Sequence, residues 1–133
     1  MDTKKRIERA FAASKKAYIP YSHFAVGATI EMKDGTWFDG CNIENAAYGS
    51  TMCAERNAIY QAYCHGYRKE DIATLTIVAY GKEVVTPCGA CRQVLAELML
   101  AETPIILANP TKYLITNIKA LLPGAFLEED LHV

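Results

Sequence analysis

The sequence predicts an α/β protein, a three-layer α/β/α sandwich with a central mixed five-stranded sheet. Three observations predict this fold class. Helical and β-rich segments alternate in the order α-β-β-α-β-α-β-β-α, an Asp-Gly turn joins the first two strands as an antiparallel hairpin, and the later strands lie between helical segments. We expect these later connections to be crossovers between parallel strands, which place helices on both faces of the sheet.

The N-terminal half contains two predicted helices with a hairpin between them. Apolar residues recur at helical spacing along an amphipathic first helix, and Pro20 must end it. Alternation of side chains on both sides of Asp34–Gly35 is typical of two strands joined by a tight turn. A second helical pattern follows and stops near Gly66. These four elements are predicted over residues 3–18, 25–32, 36–44 and 51–66.

The C-terminal half alternates buried strands with helices. The run Leu-Thr-Ile-Val-Ala-Tyr at residues 75–80 is apolar and β-rich, so we expect a strand that is covered on both faces. Pro87 is well placed at the start of the next helix, because the first backbone N–H of a helix has no intrahelical partner. The remaining elements are a helix over residues 87–99, strands over 104–108 and 113–116, and a last short helix that ends before Pro123.

Composition restricts the classes of function. Hydrophobic residues make up 51% and charged residues 22% of the chain, which excludes a disordered or low-complexity protein. The 14 basic and 15 acidic residues give a net charge of -1, so we expect no nucleic acid as a partner. Apolar stretches such as Ile105–Ala108 are too short to span a membrane, and no signal peptide is visible. We therefore expect a single cytoplasmic domain over residues 1–133, with no membrane partner.

Three of the five cysteines lie at the predicted starts of two helices. Cys53 begins one helix together with Glu55, and Cys88 and Cys91 begin another. Helix N-termini favour thiolates, and three thiolates can hold a tetrahedral zinc while leaving a fourth position for water. Cys53 and Glu55 are two residues apart, about 200° around a helix. Both can therefore reach one small site only if the tip of the helix points at it.

Two other interpretations of these cysteines remain open on spacing alone. A closed structural zinc site would need a fourth ligand, which Cys64 or His65 could supply. A thioredoxin-like redox site would use only Cys88 and Cys91, at the start of a helix that follows a strand. Redox chemistry, however, gives no role to the thiol and the carboxyl group at the start of the other helix.

Longer segments of the sequence narrow the interpretation. Cys-Ala-Glu at residues 53–55 and Pro-Cys-Gly-Ala-Cys at residues 87–91 together resemble the zinc-dependent deaminase signature in its all-cysteine form. From about Lys4 to Leu131, the chain closely resembles the small homotetrameric cytidine deaminases of pyrimidine salvage. The segments that carry this resemblance are Phe-Ala-Val-Gly-Ala (24–28), Gly-Cys-Asn-Ile-Glu-Asn-Ala-Ala-Tyr-Gly (40–49), Cys-Gly-Ala-Cys-Arg-Gln-Val-Leu (88–95) and Leu-Pro-Gly-Ala-Phe (122–126).

The resemblance implies hydrolytic deamination of cytidine and 2′-deoxycytidine to uridine and 2′-deoxyuridine, with release of ammonia. One Zn²⁺ per subunit would be held by Cys53, Cys88 and Cys91. Zinc-bound hydroxide would attack C4 of the base, and Glu55 would carry protons from the water to N3 and to the departing amine. The family also implies a homotetramer in which neighbouring subunits complete each active site.

Asn42 and Glu44 are the expected sugar-binding pair. Period-2 alternation places both side chains on one face of a strand, where an amide and a carboxylate can bind a diol. From the pattern alone, a solvated strand end is the more ordinary interpretation. The resemblance implies instead that these two residues hold the ribose 3′-hydroxyl.

The resemblance implies roles for five further residues. Phe24 packs against the pyrimidine ring, and the backbone N–H of Ala54 helps to orient the amide edge of the base. Tyr48 and Phe126 help to close the pocket of a neighbouring subunit. Arg56 offsets the negative charge that three thiolates place on zinc. Without the resemblance, these residues are ordinary packing side chains and a surface arginine.

Related deaminases are the nearest alternatives. A blasticidin-type deaminase would share both cysteine motifs but is not expected to contain Asn-Ile-Glu-Asn-Ala-Ala-Tyr at residues 42–48. A tRNA or deoxycytidylate deaminase would normally have histidine in place of Cys53, and it would need a basic surface or a phosphate site. The balanced charge of the chain does not favour such a surface.

Overall fold

The fold is described from a computed structural model that covers residues 2–131. Its elements follow the predicted order. The helices are α1 (Thr3–Ser14), α2 (Ala54–Cys64), α3 (Gly89–Leu98) and α4 (Ile118–Leu121). The strands are β1 (Val26–Met32), β2 (Trp37–Cys41), β3 (Ile72–Ala79), β4 (Ile105–Ala108) and β5 (Tyr113–Thr116). Short 3₁₀ turns lie at Tyr48–Ser50, Lys69–Asp71 and Glu128–Leu131. No helix within residues 2–131 combines the length and the apolar character that crossing a bilayer requires.

The five strands form one mixed sheet in the order β2-β1-β3-β4-β5. β1 and β2 form the predicted hairpin, in which Met32 N–H donates to Thr36 O at 2.8 Å. The prediction that helical connections join parallel strands is confirmed for β3 and β4, which pair in parallel across α3. The other pairs are antiparallel, since β3 runs antiparallel to β1 and β5 runs antiparallel to β4. The crossover through α2 does join two strands of the same direction, β2 and β3, but β1 lies between them.

Helices cover both faces of the sheet and produce the three predicted layers. Ile77 and Leu107 point into the larger core, which contains residues of α2, α3 and α4. Their neighbours Val78 and Ala108 point to the other face and pack with Ala10 of α1. The central strands are therefore buried on both sides, which explains why their sequences are continuously apolar.

Several element boundaries differ from the predicted ones: β3 begins at Ile72 instead of residue 75, α2 begins at Ala54 instead of residue 51, and α1 and β2 both end early. α1 ends at Ser14 instead of residue 18, because the chain that follows leaves the helix and runs beside the end of β2. There, Tyr18 N–H donates to Asn42 O at 3.0 Å, and Glu44 N–H donates to Tyr18 O at 2.8 Å. Because residues 42–44 pair with this segment, β2 ends at Cys41 instead of residue 44.

Two glycines let helices approach the sheet closely. A Cβ atom at Gly27 of β1 would lie 2.0 Å from Ala10 O of α1, and one at Gly40 of β2 would lie 2.3 Å from Ala54 O of α2. Real atoms cannot approach so closely, so both positions require a residue without a side chain. The contact at Gly40 holds the first turn of α2 directly against the sheet.

Candidate metal centre and active site

The N-termini of α2 and α3 meet at one point. Cys53 is the N-cap of α2 and Cys88 is the N-cap of α3, and neither side chain caps its own helix. Their sulfur atoms therefore face each other, with Cys53 Sγ and Cys88 Sγ 3.8 Å apart. Cys91 is fully buried in the first turn of α3, and the three Sγ atoms all lie within 4.8 Å of one another.

These sulfur positions fit a zinc ion. Tetrahedral thiolates about 2.3 Å from zinc lie about 3.8 Å from one another, which matches the separation of the two N-cap sulfur atoms. The candidates for a fourth ligand, Cys64 and His65, lie at the opposite end of α2, about 15 Å along its axis. Within residues 2–131 the cluster therefore has three sulfur ligands and an open side, as a catalytic zinc site requires.

Arg56 lies against the sulfur atoms. Its Nη2 donates to Cys53 Sγ at 3.4 Å, and its buried Nε has no hydrogen-bond partner among the described residues. Hydrogen bonds from the Cys91 thiol and from Arg56 lower the pKa of Cys53 to about 5. The same contact with Cys53, together with burial, raises the pKa of Cys91. The cluster thus stabilises a thiolate at Cys53 before any metal is considered.

Glu55 lies in the first turn of α2, and only 4% of its surface is exposed. Burial, and to a lesser extent the negative charge of Cys53, raises the pKa of Glu55 to about 7, while Arg56 opposes this shift. A carboxyl group whose pKa lies near neutrality can both accept and release a proton at physiological pH. Glu55 is therefore suited to acid–base chemistry beside the sulfur atoms.

A cavity of about 290 Å³ opens next to the cluster. Its described lining contains neither lysine nor arginine, and its two acidic side chains are Glu44 and Glu55. The sequence-predicted residues on its wall are Phe24, Asn42, Glu44, Tyr48, Cys53, Ala54, Glu55 and Cys88. Residues from the hairpin, from the start of α2 and from the start of α3 therefore share one cavity.

The carboxylate of Glu44 is held by the turn that follows Pro20. Glu44 Oε1 accepts hydrogen bonds from the backbone N–H groups of Tyr21 at 3.0 Å and Ser22 at 3.1 Å, and Oε2 accepts one from the Ser22 hydroxyl. These contacts, that of the hydroxyl foremost, lower the pKa of Glu44. Ser22 is not predicted from the sequence, where its only signal is its position two residues before Phe24.

Asn42 is fixed by the backbone of the first hairpin strand and the residues before it. Its Oδ1 accepts from Val26 N–H at 3.0 Å, and its Nδ2 donates to Phe24 O at 2.8 Å. An amide has two acceptor sites and two donor hydrogens, so one of each remains for a ligand. The orientation of the Asn42 side chain is thus set independently of any bound molecule.

The aromatic residues are distributed unevenly around the cavity. Phe24 and Tyr48 border it, with 41% and 71% of their surfaces exposed. Phe126 does not border the cavity of its own chain. Its carbonyl accepts a hydrogen bond from Gln93 Nε2 at 2.6 Å, and 58% of its surface is exposed.

Arg92 secures the segment that precedes Cys88. Its guanidinium donates to Pro87 O at 2.7 Å, to Thr86 Oγ1 at 2.7 Å and to Leu121 O at 2.8 Å. One side chain of α3 thereby ties the loop that carries a metal ligand to the end of α4.

Comparisons with known proteins agree with this geometry. The family model for the cytidine and deoxycytidylate deaminase zinc-binding region matches residues 1–107. The chain is 49% identical over 133 residues to a cytidine deaminase of Halalkalibacterium halodurans, covering 99% of each chain. It is 46% identical over 132 residues to a cytidine deaminase of Sporosarcina psychrophila, covering 98% of this chain and 96% of that one.

Solved structures show the same similarity. The crystal structure of a cytidine deaminase from Burkholderia pseudomallei superposes with a TM-score of 0.92 at 44% identity, covering 95% of this chain and 100% of that one. A cytidine deaminase from Mycobacterium tuberculosis superposes with a TM-score of 0.78 at 37% identity, covering 95% of this chain and 98% of that one. The mixed sheet and its flanking helices are therefore shared with these enzymes.

Proposed function

We propose that this chain, which belongs to the cytidine and deoxycytidylate deaminase family, catalyses the hydrolytic deamination of cytidine and 2′-deoxycytidine. The products are uridine or 2′-deoxyuridine, with release of ammonia, as expected of an enzyme of pyrimidine salvage. The observation that carries the proposal is the buried carboxyl group of Glu55, which borders the same cavity as a three-cysteine cluster spaced to hold zinc. Two relatives named cytidine deaminase, 49% and 46% identical over nearly the full chain, support it.

The chemistry needs a metal and a proton carrier. Cys53, Cys88 and Cys91 would hold one zinc ion per subunit, and the ion would supply Lewis acidity that activates a water molecule for attack on C4 of the base. Glu55 would accept one proton of that water and transfer it to N3. It would then carry the second proton, from the oxygen now bonded to C4, to the amine, which leaves as ammonia when the C4–N bond breaks. The pKa of about 7 supports this role, because proton transfer in both directions is then nearly balanced.

The base is placed by the tip of α2 and by an aromatic ring. Ala54 is the first residue of α2, so its backbone N–H has no intrahelical partner and is available to the amide edge of the base. Phe24 lies on the cavity wall and packs against the pyrimidine ring. Asn42 and Glu44 hold the ribose 3′-hydroxyl with the hydrogen-bonding capacity that their backbone contacts leave free.

The substrate is a nucleoside and not a nucleotide. The family includes deoxycytidylate deaminases, which act on a substrate with a phosphate group. No lysine or arginine is among the described residues that line the cavity, and Glu44 contributes a negative charge there. Binding a phosphate dianion beside this carboxylate would leave two like charges without a cation to compensate them.

We further propose a cytoplasmic homotetramer. Tyr48 and Phe126 are large side chains with most of their surfaces exposed, and Phe126 lies outside the cavity of its own chain. In the proposed tetramer, both side chains help to close the cavity of a neighbouring subunit. All five cysteines are free, which suits a reducing compartment.

An ultraviolet assay tests the proposal. Purified protein is incubated separately with cytidine, 2′-deoxycytidine, deoxycytidylate and cytosine, while the loss of the cytosine chromophore is recorded and the zinc content per chain is measured. We expect about one zinc per chain and conversion of the two nucleosides only. Conversion of deoxycytidylate in preference to cytidine would contradict the nucleoside assignment. If the protein contained no zinc and converted none of these substrates, the thioredoxin-like redox site at Cys88 and Cys91 would become the better interpretation.

A further inference from the structure

The carboxylate of Glu44 is almost completely buried, although it borders the cavity. Its exposed fraction is 5%, and the hydrogen bonds to it come from Tyr21 N–H, Ser22 N–H and the Ser22 hydroxyl. A carboxylate offers about four acceptor sites, so one turn of the chain occupies most of them. Few positions of the carboxylate satisfy all three donors at once, and the turn therefore decides where its remaining acceptor site points.

The Ser22 hydroxyl makes two contacts of opposite direction. It donates its hydrogen to Glu44 Oε2, and its oxygen accepts from Phe24 N–H at 3.0 Å. A hydroxyl has one hydrogen to donate and lone pairs to accept with, so Ser22 can make both hydrogen bonds at once. Hydrogen bonds linked in this way polarise and strengthen each other. One atom thus joins the residue that faces the sugar to the residue that faces the base.

The turn itself is held in an unusual conformation. His23, between these two residues, has a φ of 57°, in the left-handed region that side chains other than glycine seldom adopt. Its N–H donates to Ile19 O at 3.0 Å. The surrounding hydrogen bonds maintain this conformation, and Ser22, the residue before His23, borders the cavity.

We propose that Ser22 is a positioning residue for sugar recognition: its hydroxyl orients the Glu44 carboxylate towards the 3′-hydroxyl of the nucleoside and ties that carboxylate to the backbone at Phe24. The inference rests on the proposed function, in which Glu44 binds the sugar. Ser22 does not need to touch the substrate, and it acts only through Glu44 and Phe24. Loss of its hydroxyl must therefore weaken recognition of the sugar hydroxyl more than the chemical step.

The test compares cytidine with 3′-deoxycytidine, which lacks the hydroxyl that Glu44 is proposed to bind. Steady-state kinetics are measured for the wild type and for Ser22→Ala, Ser22→Thr and Glu44→Ala. In the wild type we expect kcat/KM to be at least about ten-fold higher for cytidine than for 3′-deoxycytidine, the size of one hydrogen bond to a charged group. In Ser22→Ala this preference should fall to within about two- to three-fold, mainly through a higher KM for cytidine, and Ser22→Thr should restore it.

A double variant and a remote control make the result specific. In a Glu44→Ala background, Ser22→Ala should change kcat/KM for cytidine by less than about two-fold, because the residue through which it acts is absent. Ser14→Ala removes a hydroxyl that donates to Phe11 O at 2.6 Å on α1, and it should leave the substrate preference unchanged. If Ser22→Ala does not fold, Ser22→Cys retains a weak donor, and an intermediate preference is then expected.

Two results would overturn the proposal in distinguishable ways. If Ser22→Ala lowers kcat/KM equally for both substrates and their ratio stays at the wild-type value, Ser22 is only structural, and the deaminase assignment is unaffected. If the wild type itself does not distinguish the two substrates, Glu44 does not bind the 3′-hydroxyl, and the inference about Ser22 fails together with that assignment.

Discussion

Two buried glutamates of this site have pKa values shifted in opposite directions. Burial raises the pKa of Glu55 to about 7, whereas hydrogen bonds from Ser22 and Tyr21 lower the pKa of Glu44. The same kind of side chain is thereby prepared for two tasks, because Glu55 can exchange protons near neutral pH while Glu44 remains charged. Burial is the largest effect at Glu55, whereas at Glu44 the hydrogen bonds, that of the Ser22 hydroxyl foremost, outweigh burial.

Replacement of Glu55 should remove catalysis without removing the metal. Glu55→Ala eliminates a group that is proposed to serve several proton transfers, each worth about 10²- to 10⁴-fold. We expect kcat to fall by at least about 10⁴-fold, while zinc content and cytidine binding stay near wild-type values. Metal analysis, calorimetric titration with cytidine and the ultraviolet assay measure these three quantities. A variant that keeps more than about a tenth of the wild-type kcat would show that the role is misassigned.

The lowered pKa of Glu44 predicts a pH-dependent contribution to stability. A carboxyl group whose pKa is lower in the folded state stabilises the fold above its unfolded-state pKa, and this contribution is lost as the pH falls through the folded-state pKa. The difference in Tm between wild type and Glu44→Gln should therefore be constant from pH 7 to about 5 and shrink below the ordinary value of 4.5. Thermal unfolding at a series of pH values tests this. The exposed Glu8, changed to Gln, serves as a control for loss of charge, and a difference that grows with acidity would refute the prediction.

Arg56 should tune the metal and not hold the fold. Its guanidinium donates to Cys53 Sγ at 3.4 Å. Arg56→Gln therefore removes the positive charge that lies beside the three negatively charged thiolate ligands. The metal then becomes a weaker Lewis acid, and the acidic limb of the pH profile of kcat/KM should shift to higher pH. Profiles are recorded with the zinc content checked at each pH, beside Arg68→Gln, an exposed arginine that donates to Tyr63 O and Tyr67 O. Overlapping profiles at full zinc occupancy would exclude this role for Arg56.

At the scale of elements, the site depends on how closely α2 approaches β2. The start of α2 carries Cys53, Ala54 and Glu55, and Ala54 O lies only 2.3 Å from the position that a Cβ of Gly40 would take. The position of a metal ligand and of a catalytic carboxyl group is thus set by a backbone contact with the sheet. The equivalent contact on the other face, at Gly27, is with Ala10 and Ser14 at α1, which carries no metal ligand.

These two glycines provide a matched pair of variants. Gly40→Ala and Gly27→Ala each insert one methyl group against a helix carbonyl, and overpacking of this kind costs about 1–3 kcal/mol. We expect both variants to have a lower Tm. Only Gly40→Ala should also lose zinc and activity, because only it displaces the tip of α2. Equal zinc content in the two variants, measured on folded protein, would contradict the proposed link between this contact and the metal centre.

Local patterns predicted the elements of the fold and the cysteine cluster well, whereas they did not predict the order in which the strands pair. Pro87 and the helical spacing that follows it are local signals, and they predict the start of α3 beside Cys88. β3 pairs antiparallel with β1 because it adds to the sheet beside β1 and not beside β2. The periodicity of the sequence does not indicate which edge of the hairpin a later strand joins. The hydrogen bonds from Ser22 to Glu44 join residues 22 apart and likewise have no local signal.

At the scale of the whole molecule, large apolar side chains near the site are exposed. Tyr18, Tyr21, Phe24, Tyr48 and Phe126 each expose at least 41% of their surfaces. Of these five, Phe24 and Tyr48 border the cavity. Isolated exposed aromatics are ordinary, but exposed aromatics at a cavity are typical of a surface that another protein covers. A homotetramer with shared active sites would bury this surface and enclose the substrate.

Complementation between two inactive variants tests the shared sites. Phe126→Ala should lower activity by about ten-fold or more if the ring closes a neighbour's cavity, and Glu55→Ala is expected to be inactive. Co-expression mixes the subunits, and sites that combine an intact Glu55 with a neighbour's intact Phe126 should restore about a quarter of wild-type activity. Sedimentation identifies the oligomer in the same samples. Activity equal to the average of the two separate variants would mean that each subunit works alone.

The spacing of the metal ligands along the chain has a consequence for folding. Cys53 and Cys88 are 35 residues apart, and the segment between them contains α2 and β3. An ion bound to both cysteines closes this segment into a loop. A covalent cross-link around a loop of that length raises the free energy of unfolding by about 4 kcal/mol, because it lowers the entropy of the denatured chain. The unfolding free energy then rises with the logarithm of the free zinc concentration. The supply of the metal therefore governs how long the folded chain persists, as well as how fast it turns over its substrate.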